Sequence, residues 1–334
     1  MTSIAKPRAH GRDATSPWQM PLSAWKDVLV RTWKEADADN VGLIAAGVSF
    51  YGFLALVPLL GAIVLTYGLL ADPSTVLDDM TAMMTVIPAE VAKVVAAQLL
   101  EVVHTSEGKK GLGVAIALAI ALYGARNGAA AIVTALNIAY EEQEKRGFIR
   151  VNLLALAITA CAVVGAVVAM LSIAVFAYVE AFIPASLSVV LSKVAAHLFL
   201  AMLAAAVAAT LYRFGPSRHR ARWTWLTPGS ALFAVAFVLL TLGFGLYVGK
   251  FGNYNATYGS LAAVVILLTY LYLSSYILIF GAELNSELEH QTARDTTRGP
   301  ERPLGERGAW VADHVAKGTD TGIGNPEAGR DMDA

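Results

Sequence analysis

The sequence VNLLALAITACAVVGAVVAMLSIAVFAYVEAF, residues 151–182, decides the fold class of this chain. Its one charged residue, Glu180, lies near the end of the run. An α-helix that crosses the hydrocarbon core of a bilayer needs about 20 mostly apolar residues, and this run exceeds that length. The run also lacks the alternation that is typical of an outer-membrane β-barrel strand. We therefore interpret it as a membrane-spanning helix.

Five further apolar runs make the chain a polytopic membrane protein. The six predicted spans run approximately over Val41 to Leu70, Gly111 to Ala139, Val151 to Phe182, Leu187 to Tyr212, Leu226 to Val248 and Ser260 to Glu283. Pro58 lies inside the first span and predicts a kink there. The sequence thus predicts an all-α protein whose membrane domain, residues 37–290, contains six transmembrane helices.

The overall composition supports this class and excludes several others. The 334 residues are 56% hydrophobic and 15% charged, against about 25% charged in soluble domains, and the mean hydropathy is +0.56. The 25 basic and 26 acidic residues balance, so no general nucleic-acid footprint exists. The single cysteine, Cys161, excludes an internal disulfide and a Cys-rich metal site. The sequence lacks phosphate-loop, zinc-protease and serine-hydrolase motifs, so we expect no cofactor, no metal and no enzymatic activity.

The positions of the lysines and arginines predict the orientation of the spans. Most of them fall in the N-terminal tail, in the loops after the second and fourth spans, and in the C-terminal tail. Positive residues concentrate in the cytoplasmic loops of membrane proteins. We therefore expect both termini to be cytoplasmic.

The N-terminal region carries an amphipathic pattern. Residues 1–17 are predicted to be a disordered tail. Over residues 18–36, large apolar side chains recur at helical spacing and form one stripe: Trp18, Leu22, Trp25, Leu29 and Trp33. This pattern predicts a helix that lies in the plane of the inner interface, anchored by its tryptophans. Alternatively, the stripe packs against the protein's own cytoplasmic loops.

Two other segments lie outside the spans. Residues 72–110 form the sizeable extracytoplasmic segment, predicted to fold as two short amphipathic helices. They either dock an envelope protein partner or pack against the bundle or the membrane. Residues 291–334 are rich in Gly, Arg, Asp, Glu and Thr, which predicts a disordered cytoplasmic tail.

Arg126, near the middle of the second predicted span, is the strongest functional candidate. A central arginine costs about 2.5–3.5 kcal/mol to insert and usually faces the bundle interior or a water-filled cavity. Together with Asn127, Arg126 is predicted to contact an anion or a lipid headgroup. A structural ion pair, or hydrogen bonds to carbonyls of a broken helix, are the alternatives. Gly124 and Gly128 have the GxxxG spacing, which either lets another helix approach closely or marks a break.

Other polar residues near the spans are weaker candidates. The outer end of the fifth span carries side chains that suit a polar mouth for headgroups: Lys250, Tyr254, Asn255 and Tyr258. An interfacial tyrosine belt explains much of the same pattern. Lys193 and His197 share a face of the fourth span; snorkelling explains the lysine, and a structural or gating role is open for the histidine. Glu283 is predicted to pair with an arginine of residues 213–222 as a structural lock, or to act as a coupled carboxylate.

Six short motifs occur in a specific order along the chain. They are AAGVSFY at 45–51, LNIAY at 136–140, LYRFGP at 211–216, LTPGS at 226–230, YNATYGS at 254–260 and GAELN at 281–285. With these motifs, residues 35–290 resemble the YihY/virulence factor BrkB family of bacterial inner-membrane proteins. The resemblance implies a multi-pass inner-membrane protein. Some members have been labelled ribonucleases, and others are associated with serum resistance or envelope lipid export.

Two functions from different classes follow from these observations. The first is the binding or translocation of an amphipathic, anionic envelope molecule such as a lipid, with Arg126 at the headgroup. Pro58, Gly124 and Gly128 would then permit gating. The alternative is a structural or scaffold protein in envelope assembly. Membrane lipids are the expected partners in both cases, and the second function adds a protein partner at residues 72–110. Neither function predicts binding of nucleic acid.

Overall fold

The computed structural model describes residues 11–67, 112–180, 185–250 and 260–316. Over these ranges the chain forms α-helices, which we number in chain order: α1 (Leu22–Ala38), α2 (Val41–Tyr67), α3 (Leu112–Ala139), α4 (Phe148–Glu180), α5 (Ala185–Phe214), α6 (Trp223–Lys250), α7 (Ser260–Gln291) and α8 (Trp310–Asp313). A short 3-10 helix, Pro17–Gln19, precedes α1. Within these ranges, the β-structure is limited to one isolated antiparallel bridge between Ala221 and Thr297.

The six helices α2 to α7 are each long and apolar enough to cross a membrane. They coincide with the six predicted spans, so the prediction of an all-α, six-span protein is confirmed. The largest difference is at the end of α7, which continues beyond Glu283 to Gln291. Its last two turns carry Glu287 and Glu289, whose side chains are buried by other parts of the chain. Hydropathy does not predict this extension, because its residues are polar and are buried by polar contacts.

The main core lies at one end of the bundle. There, α2 begins, α3 ends, α5 ends and α6 begins, and their buried side chains form one cluster that includes Val41, Leu136, Tyr212 and Leu226. We call this end, where both described chain ends lie, the terminal end. Within the bundle, α2 packs against α3 and α7, α6 packs against α5 and α7, and α4 packs against α3.

Parts of both predicted disordered tails are folded at the terminal end. Thr292 Oγ1 lies 2.8 Å from the carbonyl oxygen of Ala14 and 3.1 Å from that of Arg12, so its one O–H group bonds to this pair of carbonyls. The Arg307 side chain is buried and donates to the carbonyls of Ala293 and Ala312 at 2.7 and 2.6 Å. The prediction of disorder therefore does not hold for residues 11–17 and 292–316. Guanidinium and hydroxyl groups satisfy the backbone of these segments, so they fold with few apolar residues.

Helix α1 uses a different face for packing than the predicted stripe. Its buried residues are small or polar, namely Ala24, Val28, Thr32 and Ala36. Within the stripe, Trp18, Leu22, Leu29 and Trp33 remain exposed and Trp25 is partly buried. Most of the stripe thus does not fold onto the described loops at the terminal end. Residues 72–110, with their two predicted helices, lie outside the described residues.

Candidate functional site

Helix α3 approaches α2 closely at the two glycines of its GxxxG spacing. A Cβ atom added at Gly124 would lie 3.1 Å from the Cβ of Pro58, and one added at Gly128 would lie 3.1 Å from the Cβ of Ala55. Larger side chains at these positions would push the helices apart. Helix α3 is continuous from Leu112 to Ala139. Of the two interpretations of these glycines, the structure therefore shows close approach rather than a helix break.

Arg126 is half-buried on α3 and makes contacts with neutral groups. Its Nη1 donates a 2.6 Å hydrogen bond to Asn152 Oδ1, and its Nη2 donates a 3.3 Å bond to the hydroxyl of Tyr123. The guanidinium carbon lies 4.5 Å from the centre of the Tyr123 ring, a cation–π contact. The Nε atom is buried without a hydrogen-bond partner. Among the residues that the structure describes, no carboxylate forms an ion pair with Arg126.

The guanidinium of Arg126 contacts α4 near the start of that helix. Its acceptor Asn152 is the fifth residue of α4, about 6 Å from the helix start at 1.5 Å per residue. Asn152 Nδ2 donates to the Phe148 carbonyl at 2.8 Å, which turns Oδ1 toward Arg126. Along α3, Arg126 therefore lies near the middle of the span, as the sequence predicts, whereas its partner Asn152 lies near the start of α4.

This arrangement leaves one positive charge uncompensated at the edge of the bundle. The Tyr123 ring beside it is 61% exposed, and Asn127 is also exposed. The described donors at this point are therefore the three guanidinium N–H groups not bonded to Asn152 or Tyr123, and the phenol hydroxyl. Phosphate and carboxylate oxygens accept bonds from such a set. We refer to Arg126, Tyr123 and Asn152 as the Arg126 site.

The remaining predicted binding residues are not brought to the Arg126 site by described contacts. Tyr254, Asn255 and Tyr258 lie outside the described residues, and Lys250 ends α6 with an undescribed side chain. His197 is partly buried on α5. The predicted polar mouth at the outer end of the fifth span therefore stays a prediction.

Glu283 does not pair with an arginine of residues 213–222. Its side chain is buried at the terminal end, and its carboxyl shares a hydrogen bond with Asp39 instead. The Oε1 atom of Glu283 has no hydrogen-bond partner among the described residues. Glu283 thus faces Asp39, which directly follows α1, and not the loop that follows α5.

Glu283 belongs to an acidic cluster that sequence reasoning did not find. Electrostatic interactions link its five members: Glu35, Asp39, Glu141, Glu283 and Glu287. Burial raises the pKa of each of the three members outside the spans, and neighbouring negative charges raise the pKa further for two of them. Arg31 supplies positive charge, since its Nε donates to Glu287 Oε2 at 2.5 Å.

An arginine of residues 213–222 does pair with a glutamate of α7, but the pair is Arg218 with Glu289. Its Nη2 contacts both carboxylate oxygens at 2.8 and 2.6 Å, and the two side chains are only 2% and 0% exposed. Thr296 Oγ1 donates to the same carboxylate at 2.6 Å, and the Tyr140 ring lies 4.6 Å from the guanidinium carbon. This buried pair joins α7, the loop after α5 and the C-terminal segment.

Motifs that are far apart in the sequence meet at the terminal end. Asn285 of the GAELN motif accepts a 2.8 Å bond from the Gly229 N–H of the LTPGS motif. Tyr212 of the LYRFGP motif donates to the Leu278 carbonyl at 2.8 Å. Asn137 of the LNIAY motif accepts a 2.7 Å bond from the Ser217 N–H. Each of these contacts joins one helix to another helix or to the loop after α5, so these motif positions act as packing residues.

Comparisons with known proteins agree with this architecture. The family model "Virulence factor BrkB" matches residues 32–305. The chain is 30% identical to the ribonuclease-like protein YfkH of Bacillus subtilis over 201 residues, covering 55% of this chain and 69% of that protein. It is 36% identical over 89 residues to a UPF0761 membrane protein of Tolumonas auensis, covering 27% of this chain and 29% of that protein.

A shorter match extends the comparison to another bacterium. The chain is 37% identical over 78 residues to the UPF0761 membrane protein Smlt0865 of Stenotrophomonas maltophilia, covering 23% of this chain and 18% of that protein. The chain thus spans less than a third of either UPF0761 protein. No solved structure matches it. With six apolar helices and a family match over most of its length, this multi-pass inner-membrane protein belongs to the virulence factor BrkB family.

Proposed function

We propose that this protein binds an anionic envelope lipid, or a similarly amphipathic anion, at the Arg126 site and takes part in its translocation. The observation that supports the proposal is the charge of Arg126. Its described partners are an amide oxygen and a phenol, which orient the guanidinium without neutralising it. A membrane-embedded arginine is costly unless it is paired. A lipid phosphate supplies the missing negative charge.

The environment of the site suits a lipid better than a soluble anion. The exposed side of Tyr123 is on the surface of an apolar span, where acyl chains are the surrounding solvent. Asn152, the acceptor of the Arg126 bond, lies near the start of α4, where a lipid headgroup could reach the guanidinium. Close packing of α3 on α2 at Gly124 and Gly128 gives the site a rigid back wall.

Lipid titration followed by native mass spectrometry tests the binding step. The purified protein would be compared with Arg126→Gln, with phosphatidylglycerol and phosphatidylethanolamine as ligands. We expect about tenfold weaker phosphatidylglycerol binding in Arg126→Gln, because a charge-assisted hydrogen bond contributes about 1.5 kcal/mol. Phosphatidylethanolamine binding should change less.

Arg150→Gln is the matched control. Arg150 is an exposed arginine two residues from Asn152, so its loss removes the same charge from the same region of the surface. We expect its phosphatidylglycerol affinity to stay near that of the unmodified protein. Equal losses in the two variants would reduce the effect to general charge attraction and overturn the proposed site.

Translocation needs a separate assay. Proteoliposomes that contain a fluorescent phosphatidylglycerol would report its movement between leaflets, with a membrane-impermeant quencher added outside. We expect movement above that of empty vesicles, and its loss in Arg126→Gln. Binding without movement would leave a lipid-binding structural protein, which contradicts the translocation part of the proposal.

A further inference from the structure

Helix α1 presents two distinct faces, and only one of them is covered by the described chain. Ala24 and Val28 are fully buried against the protein. On the other side, Leu22 is 88% exposed, Leu29 is 51% exposed and Trp33 is 66% exposed. Large apolar side chains in such a row are unfavourable in water. The exposed row therefore indicates a surface that meets an apolar partner.

The contacts of α1 place both of its ends at the same level of the bundle. Near its start, Trp25 packs against the cluster that contains Trp225, the third residue of α6. Near its end, the Trp33 ring lies 6.1 Å from the ring of Phe280, where the apolar part of α7 stops before Glu283. Each contact marks the boundary between apolar and polar parts of a span. Helix α1 therefore lies along this boundary rather than projecting away from it.

A network of polar bonds holds α1 in this rotation. Arg31 Nε donates to Glu287 Oε2 at 2.5 Å, and Arg31 Nη2 donates to Gln291 Oε1 at 2.6 Å. These bonds connect the middle of α1 with the last turns of α7. Because they fix the buried side inward, the apolar row must face outward. The orientation of the row is thus built into the fold.

The row forms a shallow groove with positive charge at its edge. Its volume is about 570 Å3, and it is lined mainly by Leu22, Trp25, Leu29, Trp33 and the side chains of Lys26 and Lys34. Both lysines are exposed. Tryptophan and lysine are the residues that favour the headgroup level of a membrane, where rings and ammonium groups meet phosphates and acyl chains together.

We propose that the exposed face of α1 docks on the surface of the lipid bilayer, with the apolar row among the acyl chains and the two lysines at the phosphates. The continuity of the row with the spans, through Trp25 and Trp33, favours lipid over a second copy of this chain or a soluble partner. This surface is separate from the Arg126 site, and the inference does not depend on the proposed function.

The single cysteine of the chain makes a direct test practical. In a Cys161→Ala background, Leu29→Cys places one label within the row, and Ser23→Cys places one on an exposed position of the same helix outside it. Each protein would carry the environment-sensitive fluorophore NBD and be reconstituted in phosphatidylcholine–phosphatidylglycerol vesicles. Lipids with spin labels on their acyl chains would act as quenchers.

We expect the Leu29→Cys label to emit at shorter wavelength, to be quenched by the acyl-chain labels and to be reduced slowly by dithionite added on its own side. The Ser23→Cys label should show the opposite behaviour. A Leu29→Cys label as open to dithionite as the control would overturn the proposal. Protection from dithionite without quenching by lipid would also overturn it, because a protein would then cover the row. Leu22→Cys, at a more exposed position, repeats the test.

Discussion

Replacing Gly229 with alanine should destabilise the contact between α6 and α7. A Cβ atom added there would overlap the carbonyl oxygen of Gly281 and lie 2.6 Å from Asn285 Cγ. Ordinary contact begins at 3.4 Å, so the Asn285 side chain alone falls short by 0.8 Å. The same side chain accepts the Gly229 N–H bond at 2.8 Å. The new methyl group therefore forces apart two backbones and strains a buried hydrogen bond.

The expected loss follows from these two effects. Overpacking of a tight contact costs about 1–3 kcal/mol, and a strained buried hydrogen bond about 1 kcal/mol more. Their sum, about 2–4 kcal/mol, exceeds the roughly 1 kcal/mol that alanine gains over glycine in a helix. The free energy of unfolding would be measured by circular dichroism in mixed micelles of mild detergent and sodium dodecyl sulfate.

Gly243→Ala is the matched control, because Gly243 lies in the same helix with nothing within 4 Å of an added Cβ. It should be neutral or slightly stabilising, so the two variants should differ by about 2–4 kcal/mol. Equal stability of Gly229→Ala and Gly243→Ala would refute the packing of α6 on α7 described above.

Two further predictions concern the terminal end. Glu289→Gln should lower the free energy of unfolding by about 3–5 kcal/mol, because it leaves the buried Arg218 guanidinium without a counter-charge. Glu301→Gln, at the exposed pair with Arg294, should change it by no more than about 0.5 kcal/mol. Limited proteolysis of the C-terminal segment would show the difference between the two variants. The raised pKa values of the acidic-cluster members outside the spans mean that the folded chain binds more protons than the unfolded chain between their ordinary values and the raised ones. Stability should therefore rise as the pH is lowered from neutral toward the ordinary carboxyl pKa values near about 4. A Tm that decreases steadily as the pH is lowered in this direction would contradict the burial of the cluster.

Hydropathy predicts the spans of this protein well, because a bilayer imposes a length and a composition on each helix. It fails at the terminal end, where burial depends on polar partners. Arg307 and Thr292 fold the C-terminal segment by hydrogen bonds to backbone carbonyls. The composition of that segment is also typical of a disordered tail. Whether such a segment folds or stays disordered can be predicted only when its hydrogen-bond acceptors are known, and these include residues at distant positions in the chain.

The candidate site shows the same limit. Arg126 is recognisable in the sequence because a charge inside an apolar span is rare. Its partner Asn152 is not recognisable, since the pairing depends on how far α3 extends beyond the start of α4. Glu283 was predicted to pair with an arginine of residues 213–222 or to act as a coupled carboxylate, whereas the structure places it against Asp39, which follows α1. To predict which side chains meet across two helices, one must know how far the helices are shifted along their axes. The periodicity of the sequence does not contain this information.

The most direct test of the account is an electron cryo-microscopy structure of the protein in nanodiscs that contain phosphatidylglycerol. The account predicts density for a phosphate group within hydrogen-bond distance of the Arg126 guanidinium, beside the Tyr123 hydroxyl and with acyl chains along α3 and α4. The same density should be missing in Arg126→Gln. A carboxylate of the protein's own chain bound to Arg126 in place of lipid would contradict the central claim, because the charge would then be a structural ion pair.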